Sequence, residues 1–141
     1  MQSKKLDELV AQMENYLECW KQFNYFVNLA RAKKFGPDEE NQFLEVKSVI
    51  VQELELIYAA MEFASPTKEE VHVLIGSAPS IRYLSELTDG ALRGVENQWH
   101  KIYISFQALL GQLKVKQREL EGESTLSSIF GGGNKKKNEN K

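Results

Sequence analysis

Residues 4–34 read KKLDELVAQMENYLECWKQFNYFVNLARAKK, and the spacing of the apolar side chains in that run decides the fold. Leu6, Leu9, Met13, Tyr16, Trp20, Phe23, Val27 and Ala30 recur at alternating steps of three and four. That period places them on one stripe of an α-helix and favours left-handed packing at a shallow crossing angle. Residues 89–121 repeat the pattern with Leu92, Val95, Trp99, Ile102, Phe106, Leu109 and Leu113. Helices of this length span ~45 Å, too long for a cluster of short helices, so the two coiled-coil-like heptad stripes predict an elongated bundle.

Between them, residues 38–64 carry a third stripe through Phe43, Val46, Ile50, Leu54, Ile57, Met61 and Ala64, with one slip from the heptad. Leu44, Val51 and Tyr58 lie beside it and widen the apolar face. Phe35-Gly36-Pro37-Asp38 separates the first two helices. Glycine suits the left-handed position after a helix, and proline suits the first turn of the next. Ser65-Pro66-Thr67 precedes a capping-box pair, Thr67 and Glu70. Gly76-Ser77-Ala78-Pro79-Ser80 is a third break, and Thr88-Asp89-Gly90 a softer fourth.

These signals predict helices at 4–34, 38–64, 68–75, 80–87 and 89–121. Either the 68–75 and 80–87 pieces form a broken third leg, or 80–87 runs into the last helix and 68–75 is a cap. The expected fold class is all-α: an elongated antiparallel up-down bundle of about four long helices over residues 1–122, with the third leg broken into two short helices. A flexible tail rich in Gly, Lys and Asn is expected at 123–141, because it lacks the apolar surface that offsets chain entropy.

A chain of 141 residues suits one domain, and 42% hydrophobic with 27% charged residues is ordinary for a globular protein. The single cysteine, Cys19, has no internal disulfide partner, which fits a reducing, cytoplasmic setting. The segment from Met1 to Glu8 lacks the apolar stretch of a secretory signal, and no run approaches the ~20 apolar residues of a membrane span. Four of the 18 basic residues lie in the tail, leaving a body with more acidic than basic side chains that repels nucleic acid. Lys135, Lys136 and Lys137 contribute only ~1 kcal/mol each at an anionic membrane, a weak surface contact.

The candidate chemistry is sparse. Glu69 and His72 form a Glu-x-x-His, half of the motif that builds a ferritin-like di-metal site. Glu96 and His100 are four apart, and the position three before His100 is Asn97, so the second half is missing. No cofactor motif, nucleophile elbow or phosphate loop occurs. Gly90 and Gly94 suggest a close helix approach. Arg82, beside the amides of a helix start, suggests an anion site.

Aromatic and apolar residues exceed what one bundle seam needs. Tyr25 and Phe26 lie off the first stripe, and Val51 and Tyr58 lie off the second. Such residues are enriched at interface centres, so the sequence favours a non-enzymatic adaptor or scaffold that binds a protein partner or forms a homo-oligomer. The alternatives are a ferritin-like metal enzyme using Glu69, His72, Glu96 and His100, and an adaptor acting through Leu126, Ile129 and Phe130 in the tail.

Overall fold

The computed structural model describes residues 2–126, with side chains over 4–122. Five helices follow one another: α1 (Gln2–Ala32), α2 (Pro37–Ala60), α3 (Lys68–Gly76), α4 (Ile81–Ser85) and α5 (Asp89–Leu126). No strand occurs among the described residues. The expected all-α bundle forms, with three long helices and a third leg made of α3 and α4. The residue after α4, Glu86, caps it, and Thr88 Oγ1 accepts the Ala91 N–H at 3.1 Å to start α5. The 80–87 segment therefore does not join the last helix.

Cross-contacts fix the directions. Gln12 donates to Glu53 at 3.5 Å and Tyr16 to the Ile50 carbonyl at 3.1 Å, so α1 and α2 are antiparallel. Asp7 meets Gln117, Glu14 meets Lys114, and Arg31 meets Glu96, so α1 and α5 are antiparallel as well. The third leg starts where Lys68 pairs with Glu55 at 3.0 Å. It runs back along α2 until Lys47 donates to the Ala78 and Pro79 carbonyls, both at 2.9 Å.

Local chemistry sets the breaks, with three departures from expectation. The left-handed residue after α1 is Lys33, at φ 56°, not Gly36. Gly36 is extended and serves as N-cap of α2; its N–H donates to Glu39 at 2.8 Å, and Pro37 follows at the first helical position. Second, α2 ends at Ala60 rather than at 64. Met61 turns extended, which lets Phe63 stack on Tyr58 at 4.3 Å and reach Phe106 at 6.2 Å. Third, α5 continues to Leu126, four residues into the segment assigned to the tail. The Thr67–Glu70 capping box of α3 forms as expected, with 3.1 and 2.9 Å bonds.

The core is aromatic. Trp20 touches Tyr16, Phe23 and Phe106 at centroid distances of 6.2, 5.8 and 6.2 Å, and Phe43 packs on Phe23 and Phe26. Trp99 Nε1 donates to the Trp20 carbonyl at 2.8 Å. The Trp20 indole N–H is buried without a partner among the described residues, a cost of ~1–3 kcal/mol set against its packing.

The third leg is shorter than its neighbours. It covers the end of the bundle formed by the second half of α1, most of α2 and the first half of α5. Beyond Ser65 and Ser105, which approach to 3.4 Å, α1 and α5 run on without it.

Candidate functional site

Two of the surface grooves among the described residues are lined largely by apolar side chains. The first lies on the outer seam between α1 and α2, a shallow groove of about 680 Å³. Phe26 is only 4% exposed and anchors its inner edge through Phe43. The Tyr25 ring, 55% exposed, stands edge-on against Phe26 at 5.3 Å. Val46 and Val49 of α2 face them across the groove, with Cys19 between. Leu56 lies seven residues beyond Val49, two helical turns along the same face, and is 54% exposed.

The groove is acidic. Glu45 lines it, no Lys or Arg does, and Glu18 and Glu53 flank Cys19 closely enough to act on its charge. Burial raises the Cys19 pKa first, and the fields of Glu53 and Glu18 raise it further. A thiol held neutral in this way is a packing group rather than a nucleophile.

The second surface is a cleft of about 710 Å³ at the uncovered end. Leu6 and Leu9 of α1 and Leu113 and Leu120 of α5 supply its apolar walls, and Ala59–Met61 close its top. Lys5, Glu8, Glu62 and Lys116 stand around it, and none of them forms an ion pair among the described residues. Among the described residues this space stays open because α2 stops early and the third leg starts too far along α5 to fill it.

The structure redistributes the residues singled out in the sequence. Tyr25 is exposed, but Phe26 belongs to the core, because the α1–α2 seam turns its ring inward against Phe43. Tyr58 is used internally: its hydroxyl donates to the Pro66 carbonyl and its ring packs on Phe63, so it is not a free face. Val51 is half-buried on the side of α2 nearer the third leg. Leu126 ends α5; Ile129, Phe130, Lys135, Lys136 and Lys137 lie outside the described residues.

The metal candidates are not gathered. Glu69 and His72 lie on exposed positions of α3, because that helix turns Val71 and Leu74 inward instead. Glu96 is paired with Arg31, and His100 is exposed on α5. Among the described residues, no group of three or more His, Cys, Asp or Glu side chains is arranged to hold a metal ion.

Two further expectations are corrected. A Cβ at Gly90 or Gly94 meets nothing within 4 Å, so neither glycine serves a close helix approach; both face solvent. The amides at the start of α4 are already taken. Glu40 of α2 accepts from Ile81 N and Arg82 N, both at 2.9 Å, and Ser80 Oγ accepts from Tyr83 N at 3.0 Å. The anion expected at Arg82 is the chain's own carboxylate.

Val49 and Leu56 escaped the sequence reading because they sit on neither side of the main α2 stripe that drew notice. Their spacing of seven was the available signal. In comparison with known proteins, no family model, curated protein or solved structure matches this chain. No helix among the described residues is long and apolar enough to cross a membrane.

Proposed function

We propose that this chain is a non-enzymatic interaction module, an adaptor or scaffold bundle whose α1–α2 groove takes a segment of a partner protein. One observation supports this reading above the others. Tyr25 and Val49 stay exposed on the two sides of one groove while the aromatic core beneath is already filled. An aromatic ring held against a buried neighbour loses little entropy on binding, which is what an interface anchor needs. The acidic lining favours a partner whose apolar side chains are flanked by Lys or Arg. Cys19, a half-buried thiol with no disulfide partner, supports a cytoplasmic placement.

The test is a titration of the full chain with two synthetic amphipathic peptides, one of Leu and Lys, the other of Leu and Glu. The Leu/Lys peptide is expected to bind more tightly, and the double variant Tyr25→Ser, Val49→Ser is expected to weaken it about tenfold or more. Equal binding of both peptides, or binding indifferent to the double variant, would overturn the reading.

A further inference from the structure

The cleft between α1 and α5 lies in line with α2, which stops at Ala60. Leu113 is buried there, while Leu6, Leu9, Met61 and Leu120 keep part of their side chains exposed around the space. The Asp7–Gln117 bond sets the level: Leu120 stands at the outer end of the cleft, beside Lys5 and Leu6. From Leu120, α5 carries on to Leu126, ~9 Å farther along its axis. Residues 127–141, outside the described residues, read SSIFGGGNKKKNENK, and Ile129 and Phe130 are their only apolar side chains. Four residues of chain reach at most ~14 Å, so from Leu126 the Phe130 ring can return to Leu120. Tyr25, in the α1–α2 groove, lies beyond Glu14, whose partner is Lys114, and so more than ~18 Å from Leu126. Of the two apolar grooves, only the cleft is within reach of this pair.

We propose that the chain folds back after Leu126 and lays Ile129 and Phe130 into the outer end of its own cleft, against Leu6, Leu120 and the stem of Lys5. The tether favours this segment over a second copy or a partner. Held three and four residues past the end of α5, the pair meets the cleft at an effective concentration on the order of millimolar, so a contact too small to hold a free peptide suffices. The flanking residues suit a reversal, with Ser127-Ser128 before the pair and Gly131-Gly132-Gly133 after it. Charge adds to the tether. Residues 127–141 carry four lysines and one glutamate, whereas residues 1–126 carry 14 basic and 19 acidic side chains. Glu8 and Glu62 line the cleft without an ion pair among the described residues. Lys135, nine residues past Leu126, has a span of up to ~30 Å, enough to reach them. Lys5 and Lys116 share the same rim, so the tether and the apolar contact carry the docking and the lysines only assist it.

The docking uses a different surface from the α1–α2 groove, so it and the functional reading can fail separately. In NMR spectra of the full chain, the Phe130 ring is expected to show nuclear Overhauser contacts to the methyl groups of Leu6 or Leu120 that do not change on dilution. Chymotrypsin reads the same contact, since it cuts after Phe130 only when that ring is released. Cleavage there is expected to quicken about tenfold in Leu120→Glu and in Leu6→Glu, with the helical circular-dichroism spectrum unchanged. Absence of the contacts in the wild-type chain overturns the inference, and so does cleavage after Phe130 that is as fast in the wild type as in both variants. Contacts seen only between differently labelled copies in a mixed sample overturn it as well, because they give the cleft to a second chain. Phe130→Ser is expected to leave the affinity for the Leu/Lys peptide unchanged; a changed affinity would place the segment at the groove and overturn the cleft docking. If the peptide fails to bind while Phe130 still contacts Leu6 or Leu120, the groove reading falls and this one stands.

Discussion

The two ends of the bundle share α1 and α5 and differ in what lies over them: at one end α2 and the third leg cover the pair, at the other α2 stops short and the third leg has not begun. At the covered end Phe23, Val27, Phe43, Ile50, Ile81 and Leu84 are all fully buried. Polar links tie the third leg down there, with Glu40 on the α4 amides and Lys47 on the Ala78 and Pro79 carbonyls. Burial lowers the Lys47 pKa, and its ammonium is kept in place by those two carbonyls and by the Phe43 face at 5.0 Å. At the open end the same period of leucines continues along α1 and α5, but it is sealed on one side only. Periodicity fixes which face of a helix is apolar; the number of helices present decides whether that face is finished.

Breaking the covered end is expected to have the largest effect. Phe43→Ala removes a ring between Phe23 and Phe26 and should cost about 3–5 kcal/mol in urea unfolding, whereas Leu120→Ala at the open end should cost no more than about 1 kcal/mol. Equal costs at the two ends would erase the distinction drawn between them.

Loosening the third leg without touching the core is the next step. Glu40→Ala leaves two α4 amides without their carboxylate and should cost about 1–2 kcal/mol. Amide exchange should then quicken in α4 while α1 near Leu6 is unchanged.

Tyr16 lies between the two ends. Burial raises its pKa well above the ordinary phenol value, so the folded state holds it neutral. The unfolded chain releases that proton first, near pH ~10, so stability is full below that pH and falls as pH rises further. Burial raises the Cys19 and Tyr58 pKa values in the same direction. Tyr16→Phe should flatten this alkaline loss in pH-dependent thermal melts, at a neutral-pH cost of about 1 kcal/mol for the bond to the Ile50 carbonyl.

The smallest effect is a gain. Gly111 on α5 is exposed, and an added Cβ there meets nothing within 4 Å, so Gly111→Ala should stabilise the chain by about 0.5–1 kcal/mol. A fall in melting temperature would show that something approaches that glycine closely.

Much of the fold is legible in the sequence because the three long stripes are. Met13, Tyr16, Trp20, Phe23, Val27 and Ala30 are all buried, as their spacing requires. The end of α2 is not legible, because Met61 and Ala64 fit the helical period that the chain abandons; what draws it away is Phe63 packing on Tyr58 and Phe106, contacts with residues 5 and 43 positions away. The candidate site is less readable for the same reason. Tyr25 and Phe26 are adjacent and both aromatic, yet one is exposed and the other buried, because Phe43 of the next helix meets only Phe26. Glu40 as a cap across 41 residues leaves no local trace at all.

That long-range cap also orders the assembly of the molecule in time. Helices of nine and five residues do not persist alone in water, since nucleation costs more than so few bonds return. Here the first amides of α4 wait for a carboxylate set by α2, and Leu84 and Ile81 wait for the face of α1. The three long helices therefore condense first, and the third leg zips on last as the least stable cooperative unit. In native-state hydrogen exchange it opens first, uncovering the aromatic core while the remainder stays folded.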